Sequence, residues 1–532
     1  MSDWWRGAVI YQVYPRSFAD SNGDGIGDLR GLLGRLDYIA DLGVDAVWVS
    51  PFYTSPMRDF GYDVADFCGV DPIFGTLADF DAILARAHAL GLKLIIDQVY
   101  SHTSDLHPWF LESRSSRRSA RADWFVWADP KPDGSPPNNW QSLFMGPAWT
   151  WDARRGQYYL HNFLREQPDL NLLNPQVQDA MLGVARFWLN RGVDGFRVDA
   201  VSHFTHDVEL RDNPVRSGGE RTRPVDFQTL LYNSDRVETL GFLGRLRRLL
   251  DEYSDRFAMG ELGGPDSAGR SHREYLGPGR LQTAYSFLFL RGDPASPAVV
   301  KRAVAEWESQ HASGWPTWVF SNHDAPRVLT RWGGDDADGK FAQLMNAVLL
   351  TLRGSACLYQ GEELGLPQAH VPFDRLRDPE AIGNWPRTLG RDGARTPMPW
   401  VATDAHGGFS QTEPWLPVDP RHLPLAVDQQ HGRGDSVLES TRRLLRLRRC
   451  HPALVDGDIE FLPAPESVLA FMRRKGPVPV LCAFNFGKEP ARVAVRGSQR
   501  FKPLAASSGS WAEFSIVELP AQGFVIALGL EG

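Results

Sequence analysis

Residues 195–203 read Gly-Phe-Arg-Val-Asp-Ala-Val-Ser-His. Phe196, Val198 and Val201 favour extended backbone, and Arg197 and Asp199, two positions apart, project to the same side of a strand. A helical stretch from about 175 to 191, with Pro175 in its first turn and Gly192 just past its end, leads straight into this segment. Helix followed by strand is half of a βαβ unit. Further out the rhythm repeats, with short β-rich runs at 8–15, 46–51, 93–102, 195–201, 257–262, 283–289, 317–324 and 356–363. The intervening segments have helical spacing; after Thr76, a candidate N-cap, Leu77, Phe80, Leu84 and Ala87 recur on one face until Gly91. Eight strands alternating with helices predict an α/β fold, a (β/α)8 TIM barrel.

The chain has 532 residues, about twice the ~250 of a bare barrel, so insertions and an appended domain are expected. Two intervals break the rhythm. Residues 103–170, rich in Trp, Pro and Asn, are too long for a βα loop and predict an inserted domain B; residues 366–440 predict an elaborated final βα loop. The barrel is then expected over 1–102 and 171–455, with a C-terminal antiparallel, sandwich-like β-domain over 456–532. The basic stretches RSSRRSAR (114–121) and RRLLRLRR (442–449) are expected to be solvated faces, the second on a helix packing its leucines inward.

Polar residues close the proposed strands: His102 the third, Asp199 the fourth, Glu261 the fifth, His323 and Asp324 the seventh. A barrel gathers those strand ends around one site. Glycosidic bond cleavage needs two carboxyl groups flanking the bond, and a third can hold sugar hydroxyls as the ring flattens. Asp199, Glu261 and Asp324 meet that need.

In order and spacing, DQVYSH (97–102), GFRVDAVSH (195–203), GEL (260–262) and SNHDAPR (321–327) resemble the four conserved regions of the α-amylase family of glycoside hydrolases, family 13. DFGYD (59–63), YLHNF (159–163), QPDLN (167–171) and ARTPMPW (394–400) resemble its α-glucosidase and oligo-1,6-glucosidase group. The resemblance implies a retaining, exo-acting enzyme with Asp199 as nucleophile, Glu261 as acid/base and Asp324 as transition-state stabiliser. It further implies that Arg197, His102 and His323 position the glucose, that Asp59 and Arg395 grip its far end, and that Gln167 joins the binding set. Tyr62, Phe144 and Phe163 would form apolar walls. Glu261 must arrive carrying a proton, and Asp97 orients the site. In this group Val commonly follows the nucleophile in enzymes cutting α-1,6 bonds; Ala200 stands here, so α-1,4 preference, including maltose, is expected although QPDLN leans toward the oligo-1,6 subgroup. Ser101 before the site histidine and ELGG (261–264) depart from the family's usual Asn and EMPG. The polar loop 212–226 is expected to shape the acceptor side.

The segment Asp20-Ser-Asn22-Gly-Asp24-Gly-Ile26-Gly-Asp28 alternates oxygen donors with glycines, which suits Ca²⁺ or Mg²⁺ held by carboxylates and the Ile26 carbonyl, with a metal-free Asx turn as the lesser alternative. In related glucosidases a matching loop resembles a structural calcium site. No organic cofactor is expected.

Hydrophobic residues make up 42% and charged residues 23%, with a net charge of −8, which argues against nucleic acid or an anionic membrane as partner. The first residues lack a basic and apolar leader pattern, and Cys68, Cys357, Cys450 and Cys482 are widely spaced, so a reduced, cytoplasmic enzyme is expected. The expected partners are small α-glucosides such as maltose, maltooligosaccharides and sucrose, with the chain a monomer or homodimer. The rival expectations are a glucosyltransferase or a sucrose or trehalose isomerase of the same fold, sharing the first half-reaction, and a non-catalytic family member, which the intact acidic triad disfavours.

Overall fold

The computed structural model describes residues 3–219, 221–263, 272–290, 294–310, 314–388, 390–495, 500–513 and 516–530. Glu220 of the acceptor-side loop and Gly264 of ELGG lie outside the described residues.

Eight parallel strands close into a barrel: β1 (Val9–Val13), β2 (Ala46–Val49), β3 (Lys93–Gln98), β4 (Gly195–Val198), β5 (Phe257–Leu262), β6 (Thr283–Ser286), β7 (Trp315–Val319) and β8 (Ser355–Tyr359). Each pairs in parallel with its sequence neighbours, and β1 pairs with β8 to complete the ring. The strand runs read from sequence extended several residues past most of these ends, because the rim residues that follow are still polar and functional but no longer on the ladder.

Period-two alternation explains why the site lies where it does. Ile10, Ala46, Trp48, Ile95, Phe257, Met259, Tyr285, Trp315 and Cys357 form one buried cluster inside the ring. Val9, Val47, Leu94, Phe196, Val198 and Ala258 belong to the larger cluster shared with the helices. Following the inward column along β3, Ile95 gives way to Asp97; along β5, Phe257 and Met259 give way to Glu261. The interior thus turns from apolar to charged toward the C-terminal ends. Gly195 opens β4 where a Cβ would lie 2.9 Å from the Phe257 carbonyl oxygen, so only glycine lets β4 and β5 approach there.

The expected helices form. Leu77–Ala89 starts at a Thr76–Asp79 capping box, and Pro175–Arg191 is capped by Asn174 and ends at left-handed Gly192. After β3 the chain leaves the barrel and builds a three-stranded sheet from Trp127–Ala128, Gln157–Leu160 and Trp149–Asp152. Thr103 N–H to Pro168 O and Leu170 N–H to Ser101 O close its exit and return. Beyond the barrel, a five-stranded and a three-stranded antiparallel sheet occupy the segment from Asp458. Among the described residues, no helix is long and apolar enough to cross a membrane.

One expectation needs correcting. In the helix Val437–Cys450, Leu438, Leu444 and Leu445 are buried as anticipated, but Arg442 and Arg448 are buried too. Arg448 donates to the carbonyls of Gly7, Leu350 and Gly354, while Arg442 pairs with Glu439 at 2.7 Å. Unpaired carbonyls at chain turns can satisfy a buried guanidinium, so a run of arginines need not face water. In RSSRRSAR, by contrast, Arg114, Arg117 and Arg121 pair with Asp152, Asp129 and Glu112 at or near the surface.

Candidate active site

Register sets the centre of the site. Asp97 on β3 lies opposite Arg197 on β4, and Glu261 on β5 lies opposite Tyr285 on β6. The Arg197 guanidinium is completely buried and binds three carboxylates: Nη1 donates to Asp97 at 2.6 Å and to Asp199 at 2.5 Å, and Nη2 meets Glu261 at 2.6 Å. Tyr285 Oη accepts from Nη2 and Nε of Arg197 at 2.7 and 3.1 Å and donates to Glu261 Oε1 at 3.1 Å. The other oxygen of Glu261 accepts from the Ala200 N–H at 3.0 Å. Ala200 itself sits in left-handed backbone, φ 43°, which turns the chain sharply after Asp199.

Three acids around one cation leave excess negative charge in a buried space. Burial pushes Asp199 well above the usual carboxylate range, with Glu261 and Asp97 adding to the rise and Arg197 opposing it. Burial likewise raises Asp97 to about 6 against the pull of Arg197.

Asp324 faces this cluster from β7's end in a different field. Burial alone would raise its carboxyl, but His323, Arg395 and Arg391 together hold it well below the usual range. Burial also takes His323 down to about 3, so the ring is neutral near pH 7 and the two guanidiniums supply the standing attraction. Arg395 Nη2 lies 2.7 Å and Arg391 Nη1 3.4 Å from Asp324 Oδ1. His323 stacks on Tyr62, ring centroids 5.3 Å apart, and its Nε2 meets Tyr62 Oη at 2.7 Å.

At the inner end, Asp59 pairs with Arg391 at 2.8 Å, and Gln167 Nε2 donates to Asp59 at 3.0 Å and approaches His102 Nε2 at 3.1 Å. Arg391 is held by Asp378 at 2.8 Å and lies over the Phe144 ring, 4.8 Å from its centroid. Ser101, the departure before His102, bonds the ring's Nδ1 at 2.8 Å. Together these groups floor and wall a cavity of about 580 Å³ that reaches Asp59, Tyr62, His102, Phe144, Phe163, Asp199, Glu261 and Asp324. Its outer side is lined by Arg216, Thr222, Arg223, Val225 and Asp226 of the loop after β4.

Most of the residues singled out from sequence converge here. The exception is Arg395, expected to grip the far end of the glucose together with Asp59. The expected Arg395 is fully buried behind the pocket, donating to the His323 carbonyl and Asp324, whereas Arg391 reaches Asp59 and lines the cavity. The short 3-10 turn Asp392–Ala394 separates the two arginines by about one turn, so both face Asp324 and only the outer one enters the pocket. Tyr285, Trp48, which donates to Asp97 at 2.5 Å, and Asp378 were missed as well. For Tyr285 and Trp48 the signal was period-two placement inside the ring beside the named acids, whereas Asp378, the N-cap of the helix Pro379–Asn384, lies on no strand. The residues of the loop 20–28 lie elsewhere: Asp20 accepts from Asn22, Gly23 and Gly25 N–H groups and from Ser410, and Asp28 caps the helix Leu29–Leu33.

A closed parallel barrel with three carboxyl groups at the foot of a pocket at its C-terminal rim defines a glycoside hydrolase. The alpha-amylase catalytic-domain model matches residues 12–457, and the chain belongs to the α-amylase family of glycoside hydrolases. It is 51% identical to a probable alpha-glucosidase of Rhizobium meliloti (strain 1021) over 99% of this chain and 97% of that one. An oligo-1,6-glucosidase of Heyndrickxia coagulans is 36% identical, covering 92% and 93%. The crystal structure of an alpha-glucosyl transfer enzyme, XgtA, superposes with a TM-score of 0.96 at 49% identity over 100% of both chains.

Proposed function

We propose that this enzyme is a retaining exo-α-glucosidase that removes glucose from the non-reducing end of small α-glucosides. The observation that carries this reading is the single guanidinium of Arg197 gripping Asp199 and Glu261 on adjacent nitrogens. Carboxyls held that closely suit the ~5–5.5 Å of a double displacement better than the ~6.5–9.5 Å that leaves room for an inverting water. The inner end, stopped by Asp59, Arg391 and Phe144, suits one terminal glucose.

Asp199 attacks the anomeric carbon while Glu261 gives its proton to the departing oxygen. Ionised Glu261 then takes a proton from water, whose oxygen displaces Asp199 and leaves α-glucose. Asp324, kept ionised by its arginines, steadies the developing positive charge on the ring. Ala200 lines the cavity beside Asp199 with only a methyl group, which supports α-1,4 over α-1,6 preference. Similarity to an enzyme named for glucosyl transfer supports a transfer side activity, in which an acceptor hydroxyl replaces water.

The test is a proton NMR time course on maltose, isomaltose, sucrose and trehalose. Mainly α-glucose, with maltose consumed faster than isomaltose, is expected. First-formed β-glucose would sink the retaining mechanism, faster isomaltose cleavage the linkage preference, and a dominant new disaccharide would make the enzyme a transferase or isomerase.

We also assign the loop 20–28 a structural Ca²⁺, with Mg²⁺ as the weaker candidate. Its donors are hard oxygens, and Asp24 is committed only to the Ile26 N–H and the Asn22 amide, so lone pairs remain. Among the described residues no three acidic, His or Cys side chains already converge as a metal site. A bound cation would brace this loop against the final insert, which Ser410, Thr412 and Trp415 already hold to it. Calcium over chelator is expected to raise Tm by about 2 °C, and the rise should vanish in Asp24→Ala; calorimetry showing equal Tm values would refute the assignment. The four free cysteines support a reducing, cytoplasmic setting, and a monomer or homodimer is the proposed assembly.

A further inference from the structure

The outer end of the pocket is crossed by one side chain. Arg223, in the loop after β4, donates through Nη1 to the Leu143 carbonyl of the inserted domain at 3.2 Å and meets Glu380 of the final insert at 3.3 Å. Its other nitrogen pairs with Asp226 of its own loop at 3.2 Å. All four residues line the cavity. Three chain segments from different parts of the sequence therefore meet at one guanidinium over the side where a leaving group must sit.

The crossing is built rather than incidental. Arg223 and Glu380 are only 20% and 15% exposed at their side chains, so their attraction is less screened than at an open surface. Asp226 is fixed by the N–H groups of Thr222 and Arg223 at 3.1 and 2.9 Å. Glu380 lies in the first turn of the helix Pro379–Asn384, whose N-cap, Asp378, is the residue that holds Arg391 on the glucose side. Asn384 of that helix also reaches the Phe144 carbonyl. One short helix thus ties the glucose grip to the outer crossing.

Resting on the exo-glucosidase reading of the pocket, we infer that Arg223 is the specificity-determining residue for leaving-group length. Its bridge to Glu380 and Leu143 closes the pocket after about one further sugar ring. A longer saccharide must break that bridge to seat its terminal glucose, while a disaccharide need not. Lysine cannot replace the bridge, because a point charge cannot reach three acceptors lying in different directions at once.

The experiment compares kcat/KM for maltotetraose with that for maltose. Arg223→Ala is expected to raise this ratio about tenfold through a lower KM for the longer sugar, and Arg223→Lys, which cannot reach all three acceptors, to raise it as well. An unchanged ratio in folded Arg223→Ala, or a wild-type ratio in Arg223→Lys, overturns the inference. Should Arg223→Ala fail to fold, Glu380→Gln reads the same ratio with the arginine in place. Glucose release from maltose by the wild type is the control: its absence would bring down the glucosidase reading itself, and this inference with it.

Discussion

Asp199→Ala is expected to lower turnover of an aryl α-glucoside by about 10⁴-fold or more, and azide is expected to restore part of it as β-glucosyl azide. With the carboxylate gone, a small anion can occupy its place and attack the anomeric carbon once, while Glu261 still protonates the leaving group. Glu261→Ala should give the opposite anomer: an activated aryl group departs unaided, Asp199 forms its bond, and azide then attacks from the other face to yield α-glucosyl azide. Chromatography and NMR of the two products check both roles together; exchanged anomers would exchange the assignments. The fold should survive Asp199→Ala, because Arg197 keeps Asp97 and Glu261 and one like-charge repulsion is removed. A collapse of Tm would therefore mean that the activity loss is not chemical.

Arg391→Lys should have the next largest effect, a loss of about 10²–10³ in kcat/KM. The guanidinium spans Asp378, Asp59 and Asp324 at once, with Asp59 and Asp378 almost wholly buried. Lysine can hold one of them and leaves another carboxylate buried without its counterion, a change that costs about 3–5 kcal/mol where a buried pair is broken outright. Because the contact falls on the glucose side, steady-state kinetics should show the same loss for aryl glucoside, maltose and sucrose. A loss that varied with the leaving group would move Arg391 to the other half of the pocket. Arg395→Lys, by contrast, is expected to register first in Tm, since Arg395 is buried behind the pocket and binds the His323 backbone.

The barrel and the centre of its site were legible because both follow a short period. Alternation put Asp97, Arg197 and Glu261 inside the ring, and polar strand ends marked the open rim. What escaped was whatever depends on distance between segments rather than spacing within one. Arg391 and Arg395 occupy the same side of one turn, and only the folded position of Asp59 separates them. Tyr285 lies in Thr-Ala-Tyr-Ser, which reads as an ordinary strand until register sets it opposite Glu261. Arg448 belongs to a run that looks solvent-facing, and its carbonyl partners come from segments about 100 and 440 residues away.

Closure of the ring by its first and last strands also sets a schedule for synthesis. The pairing of Val9 with Ala356 and of Gln12 with Tyr359 cannot form until nearly 350 further residues have been made. At ~5–20 residues per second the apolar β1 waits on the order of 20–70 s with one ladder edge open. During that interval the nascent chain exposes Val-Ile-Tyr-Gln-Val as a template for pairing with another chain. Yield of folded enzyme should thus respond to how that early segment is sheltered on the ribosome, independently of anything at the finished active site.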